Sequence, residues 1–137
     1  MATKPEPSRQ ATLCPCGSGA AYADCCGRYH RGEAQPATAE QLMRSRYAAY
    51  VQGDEDYLLR TWHVSTRPAK LDLVHAPVKW LGLTILRIEA GGAQDQEGVV
   101  EFVARCKPAG RAQRLHETSR FRRDDGQWFY AGGLISP

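Results

Sequence analysis

The chain lacks any long hydrophobic run: none approaches the roughly 20 residues that a membrane-spanning helix requires. Its first residues, with Lys4, two prolines, Glu6, Ser8 and Arg9, hold no apolar core of the kind a secretory signal needs. A soluble, cytoplasmic protein is the expectation. Charge of one sign is scarce too, since 18 Lys and Arg against 15 Asp and Glu leave a formal net charge of +3. That balance does not announce the strongly basic face of a nucleic-acid protein. Nor is the composition skewed: 42% hydrophobic and 24% charged residues argue against a wholly disordered or coiled-coil chain. No internal repeat or low-complexity block is evident. At 137 residues there is room for one compact domain and a small appendage.

What the sequence does have is clustered cysteine. Cys14, Cys16, Cys25 and Cys26 crowd into a short stretch, while Cys106 stands alone in an apolar, strand-like one. Adjacent or one-apart cysteines bridge each other poorly, and cytoplasmic thiols are kept reduced. Four thiolates in the order C-x-C-x8-C-C can instead close a tetrahedron around one Zn²⁺, with two disulfides or free thiols as the alternative. Gly17, Ser18 and Gly19 allow a sharp turn after the first pair and can aim amide N–H groups at sulfur. Residues 20–24 have helix-forming composition, which would deliver Cys25 and Cys26 on one short turn ending at Gly27. With every position filled by protein the metal would be structural. His30, four residues past Cys26, is the reserve ligand or else a solvated side chain. A zinc bound by four thiolates carries a charge of about −2, which Arg28 and Arg31 are placed to offset.

The run Cys14-Pro15-Cys16-Gly17-Ser18-Gly19, with Tyr22 and Cys25-Cys26-Gly27, resembles the SEC-C motif found at the C-terminus of the bacterial preprotein translocase ATPase and in other bacterial proteins. The stretch Met43-Arg44-Ser45-Arg46-Tyr47-Ala48-Ala49-Tyr50-Val51, with Tyr57-Leu58 and Thr61-Trp62-His63, extends the likeness to the YchJ-like family. The resemblance implies a zinc knuckle at Cys14, Cys16, Cys25 and Cys26, followed by a cone-shaped α+β body of the nuclear-transport-factor-2-like kind; it implies no activity. In the translocase the similar motif contacts an export chaperone and the ribosome, and lysines usually surround its tyrosine. Here the neighbours are Ala20, Ala21 and Ala23, which lack the charge an acidic chaperone or ribosomal RNA would read.

The chain divides into a flexible tail at 1–13, the knuckle at 14–27, a linker at 28–37 containing Gly32 and Pro36, and the body at 38–137. Thr38 and Gln41 form a capping-box start. Leu42, Met43, Tyr47, Tyr50 and Val51 then make one buried helical stripe, closed by Gly53. Asp54 caps a second, shorter helix whose packing face is Tyr57, Leu58, Thr61 and Trp62. Beyond a connection punctuated by Pro68 and Pro77, three or four strands are expected at 79–89, 98–107, 114–123 and 127–133. Asp125-Gly126 is a two-residue hairpin turn. If Asp124 pairs with Gln127, Phe121 faces Tyr130, on one side with Leu115, Glu117 and Ser119. A curved antiparallel sheet wrapped on N-terminal helices is the α+β fold these elements suggest.

Glu117 is the candidate acid or base, since a carboxylate on an inward face must be paired or protonated. The competing reading pairs it with Arg44 or Arg46 as a clamp between helix and sheet, and it is favoured. Trp62 and His63 are candidates for a pocket mouth with Tyr130, or a core residue and a helix cap. His116 points away from Glu117 by strand alternation, and His75 sits in a loop without an evident partner. Arg114, Arg120 and Arg122 share the opposite strand face, near Arg111 and Arg123. They read as a solvated face, with RNA binding the alternative. Cys106 reads as a buried hydrophobe. Three functional classes follow. The favoured one is a zinc-stabilised module that binds another protein in export, translation or quality control. The others are a small-molecule binder or enzyme using Glu117, and an RNA binder using the late arginines.

Overall fold

The computed structural model describes residues 12–71, 73 and 78–136; the rest of the tail, His75 and Pro77 lie outside the described residues. A 3₁₀ turn at Tyr22–Asp24 leads into α1 (Cys26–His30), α2 (Ala39–Gln52) and α3 (Glu55–Arg60). Four strands follow, β1 (Val78–Ala90), β2 (Glu97–Pro108), β3 (Gln113–Asp124) and β4 (Gln127–Ser136). They form one antiparallel sheet in the order β1-β2-β3-β4, curved around the helices that precede it. Among the described residues no helix is long and apolar enough to cross a membrane.

Local chemistry sets the ends of α2. Thr38 is extended at φ −136, and its Oγ1 accepts a hydrogen bond from the Gln41 amide at 3.1 Å. Gln41 reaches back one residue further than a capping box requires, accepting from the Ala37 amide at 2.7 Å. Gly53 ends the helix at φ 73, where a side chain would be strained. Asp54 then caps α3 by accepting from the Tyr57 amide.

The inward face of α2 is wider than one stripe, because three different neighbours cover it. Leu42, Met43 and Tyr47 meet the sheet, where Val100, Phe102, Phe121 and Trp128 complete the main core. Ala48 meets the cysteines, and Ala49 packs with Tyr29, Tyr57 and Leu58. Val51, expected in the stripe, is 37% exposed: it falls beyond all three contacts.

Asp125 and Gly126 both take positive φ, 52 and 77, the type I′ geometry that suits the twist of a hairpin. Asp124 therefore opposes Gln127, and Phe121 opposes Tyr130. The segment after α3 lies along the outer edge of β4. His63 donates its amide to the Tyr130 carbonyl, and Tyr130 donates to that of Thr61, both at 2.8 Å. Part of an edge that would otherwise present unpaired backbone is thereby covered.

Candidate functional site

The four clustered thiols are brought together. Leu13 bridges Ala21, and the Cys14 amide donates to the Ala20 carbonyl at 2.8 Å, so the loop between doubles back on itself. The sulfurs of Cys14, Cys16, Cys25 and Cys26 all lie within 4.8 Å of one another. The Ser18 backbone amide hydrogen-bonds Cys16, as the turn suggests, and Ser18 Oγ stands 3.1 Å from Cys25 Sγ, so a hydroxyl joins the amide in supporting the sulfurs.

The delivery of the second pair differs from expectation. No helix spans 20–24 and stops at Gly27; the 3₁₀ turn ends, Cys25 breaks the path at φ −126 and ψ −114, and Cys26 opens α1. Gly27 sits inside that helix because a Cβ there would lie 2.7 Å from the Tyr22 carbonyl oxygen. It serves a close approach of two backbones, and α1 carries the chain helically to His30.

Without a cation the thiols share charge unequally. S–H donors from Cys14 and Cys26 hold Cys16 far below the usual thiol range. The same bond pushes Cys14 up to about 11, and hydrogen bonds to Cys14 and Cys16 raise Cys26 strongly. Metal ligation requires the thiolate, so a divalent cation bound here would take the place of these S–H hydrogen bonds.

His30 is neither a ligand nor solvated. Its Nε2 lies 2.8 Å from the Ser45 carbonyl and its Nδ1 lies 2.5 Å from the Tyr22 hydroxyl. A carbonyl only accepts, so Nε2 carries the proton and Nδ1 receives that of Tyr22. The ring thus ties the metal loop to α2. Arg44 makes a second tie, donating from Nη1 to the Cys16 carbonyl at 2.7 Å and from Nε to Glu40. Arg28 and Arg31 donate to the carbonyls of Cys25 and Ala23.

Between α2 and the concave face of the sheet lies a cavity of about 260 Å³ whose walls include Tyr47, Tyr50, Trp80, Phe102 and Phe121. Glu117 and Tyr130 line it, as does Arg46; Trp62 and His63 do not. The expected arginine clamp on Glu117 is absent. Its Oε2 instead accepts from Ser119 Oγ at 2.6 Å and the Tyr130 hydroxyl at 2.9 Å. Gly133 makes space for this carboxylate, since an added Cβ would collide with it.

Arg44 is occupied at the metal loop, and Arg46 is drawn elsewhere. Its Nη1 donates to the Leu58 carbonyl and to Thr61 Oγ1, each at 2.8 Å, at the C-terminus of α3. The guanidinium lies over the rings of Trp62 and Tyr130, 5.1 and 4.5 Å from their centroids, and the two rings meet edge to face. Burial lowers the Arg46 pKa and, with the Glu117 charge beside it, raises that of Tyr130.

Arg46 therefore takes the role at the end of α3 that was expected of His63. The His63 ring stays buried against Phe129, turned away from the cavity, with Nε2 2.5 Å from Asp124 Oδ2 and Nδ1 accepting from the Ser65 amide. His116 points away from Glu117 as alternation requires, bonding Glu101 at 2.6 Å. Cys106 is buried opposite Trp80. Arg111, Arg114, Arg120 and Arg122 are exposed, and Arg123 lies over the Trp128 ring. Nothing local in the sequence marks Arg46 or His30 for these roles, because their partners lie 8 to 15 residues away on other elements.

Known proteins share both parts of this architecture. The family model described as the YchJ middle NTF2-like domain matches residues 38–133, and the SEC-C motif matches residues 12–28. A UPF0225 protein of Chromobacterium violaceum is 60% identical over 126 residues, covering 90% of this chain and 93% of that one. A UPF0225 protein of Bordetella parapertussis is 53% identical over 133 residues, covering 95% and 98%. The solution structure of a SEC-C motif containing protein from Rhodopseudomonas palustris superposes with a TM-score of 0.79 at 35% identity, covering 90% of this chain and 98% of its own. Agreement over nearly the whole length of these relatives means that the chain belongs to the UPF0225 family of YchJ-like proteins, in which a SEC-C motif precedes an NTF2-like domain.

Proposed function

We propose that this is a zinc-stabilised protein whose cone binds a small organic ligand. The observation that carries the reading is Glu117: a carboxylate lines an aromatic-walled cavity, and no arginine forms an ion pair with it among the described residues. A structural carboxylate would sit in a closed ion pair within a filled core.

Zinc suits the cysteine site on two counts. All four donors are sulfur, the set that closed structural zinc sites use, and Zn–S bonds of about 2.3 Å imply sulfur–sulfur edges of about 3.8 Å. Cys16 and Cys25 are 3.7 Å apart. The metal's part is to hold the loop against α2, which supplies Arg46, Tyr47 and Tyr50 to the cavity. Mass spectrometry of freshly purified protein tests both halves. One zinc per chain and an added organic mass that denaturation releases are expected. Zinc alone, with no aromatic resonance of the cone shifted by added small molecules, would remove the ligand-binding half.

A second reading, a protein partner in export, translation or quality control, has Leu13 in its favour, 58% exposed at the rim of the metal loop. Such a partner would offer an apolar peptide, since residues 17–24 include no cation. Leu13→Asp should then weaken capture of that partner without releasing zinc. RNA is less well supported: the large apolar side chains exposed among the described residues are all aliphatic, which leaves the outer arginines without a stacking surface.

A further inference from the structure

The hydrogen-bonding groups facing the cone are half used. Glu117 accepts both its hydrogen bonds at Oε2, from Ser119 and Tyr130, and its Oε1 has no donor among the described residues. Arg46 is only 5% exposed and donates only through Nη1; its Nε and Nη2 have no acceptor among the described residues. Glu117 is half-buried, and these atoms are not sealed from solvent, so a ligand in the cone would pair with them in place of water. The cavity therefore offers one strong acceptor and one strong donor on walls that are otherwise aromatic and aliphatic.

The signs of the two groups restrict the occupant. A purely anionic ligand reaching Arg46 would meet the Glu117 carboxylate in the same small space. A purely cationic one reaching Glu117 would meet the Arg46 guanidinium. Burial in a low dielectric enlarges either repulsion. An uncharged molecule that carries both an acceptor and a donor satisfies both groups at no such cost. The rings of Tyr47, Trp80, Phe102 and Phe121 favour a planar aromatic body, and about 260 Å³ limits it to a small one.

Resting on the ligand-binding reading above, we propose that the cone is selective for small neutral aromatic molecules of the amide or lactam type, whose carbonyl accepts from Arg46 and whose N–H donates to Glu117 Oε1. Glu117 is then the residue that decides specificity.

Three compounds of nearly one shape separate the possibilities: benzamide, which offers donor and acceptor without charge; benzoate, an anionic acceptor; and benzylammonium, a cationic donor. Each is titrated at up to millimolar concentration into the full zinc-loaded chain, followed by aromatic NMR shifts. Benzamide should bind about tenfold or more tightly than either ion, the weight of one hydrogen bond to a charged group. In Glu117→Gln the side-chain oxygen can keep its bonds to Ser119 and Tyr130 while the amide nitrogen faces the cavity. The preference should then move from benzamide toward benzoate, a reversal that loss of folding cannot produce. A wild-type preference for benzoate or for benzylammonium would overturn the ligand class while leaving ligand binding intact. Equal binding of all three, or an unchanged order in Glu117→Gln, would overturn the role of Glu117. Failure of all three to bind, with no retained organic mass, would overturn the ligand-binding reading itself.

Discussion

The metal loop buries Cys14, Cys16 and Cys26 against one alanine of α2, Ala48, whereas the body encloses Leu42, Val100, Phe102, Phe121 and Trp128 in a continuous apolar core. A segment as short as the loop buries little apolar surface to offset its own ordering, and its four sulfurs are grouped closely enough for a metal site to supply the rest. The body has four long strands and a helix whose faces meet three separate clusters. The two regions are nevertheless joined by specific contacts: His30 to the Ser45 carbonyl, and Arg44 to that of Cys16. One chain thus holds two stabilising chemistries, joined by these polar contacts and by the packing of Ala48 on the cysteines and of Tyr29 on Ala49, Tyr57 and Leu58.

Removing a ligand should separate the regions most widely. Cys16→Ser is expected to abolish metal binding, which in small zinc domains is worth about 10–16 kcal/mol. Amide NMR signals from residues 12–30 should collapse while those of the sheet persist. Collapse of the sheet as well would show that the body depends on the metal after all.

Trp128→Ala attacks the other side of the comparison. The indole is 1% exposed and also donates to the Ala37 carbonyl at 3.1 Å. A loss of about 3–5 kcal/mol is expected in denaturant titration. Metal should remain bound until the body unfolds.

The polar contacts between the regions are weaker. His30→Ala leaves the Ser45 carbonyl and the Tyr22 hydroxyl without this partner, at a cost of about 1–3 kcal/mol. Metal content should stay at its wild-type value. The sharper sign is a split of one thermal transition into two, read by calorimetry; a single unshifted transition would show that His30 does not couple the regions.

Acid gives the smallest and most graded contrast. Protons compete with metal for thiols such as Cys14, whose pKa lies at about 11 without a cation, so metal should leave the loop first as pH falls. In the body, hydrogen bonds from His116 and then Arg87 hold Glu101 below the usual carboxylate range. Its folded pKa is the lower one, so its contribution is complete above the ordinary value of about 4.5 and is lost as pH falls through the folded pKa. Glu101→Gln should flatten that last part of the stability profile and leave the metal-release midpoint unmoved.

Some features can be read in advance because they are settled within a few residues. Thr38 and Asp54 cap helices, Gly53 ends one, and Asp125-Gly126 turns a hairpin, each through backbone groups no more than four positions away. The cysteine cluster belongs with them. Hairpin register extends the reach further: Asp124 opposite Gln127 brings Phe121 to Tyr130 and puts Glu117 on the same inward side. Alternation assigns a face, however, and it does not assign a partner. Arg44 and Arg46 both stand on a helix beside the sheet, yet one turns to the Cys16 carbonyl and the other to the end of α3.

The amino-acid sequence alone determined the two-part plan, the clustering of the thiols, the ends of α2 and the start of α3, and the inward placement of Glu117, because each rests on local backbone chemistry or on period-two alternation. Only the tertiary structure decided which buried polar groups meet. His30 became a strut instead of a ligand, His63 turned to Asp124, and Glu117 took two hydroxyls while Arg46 took a helix terminus. Those choices depend on distances between elements that are brought together only when apolar burial fixes how α2 lies across the sheet.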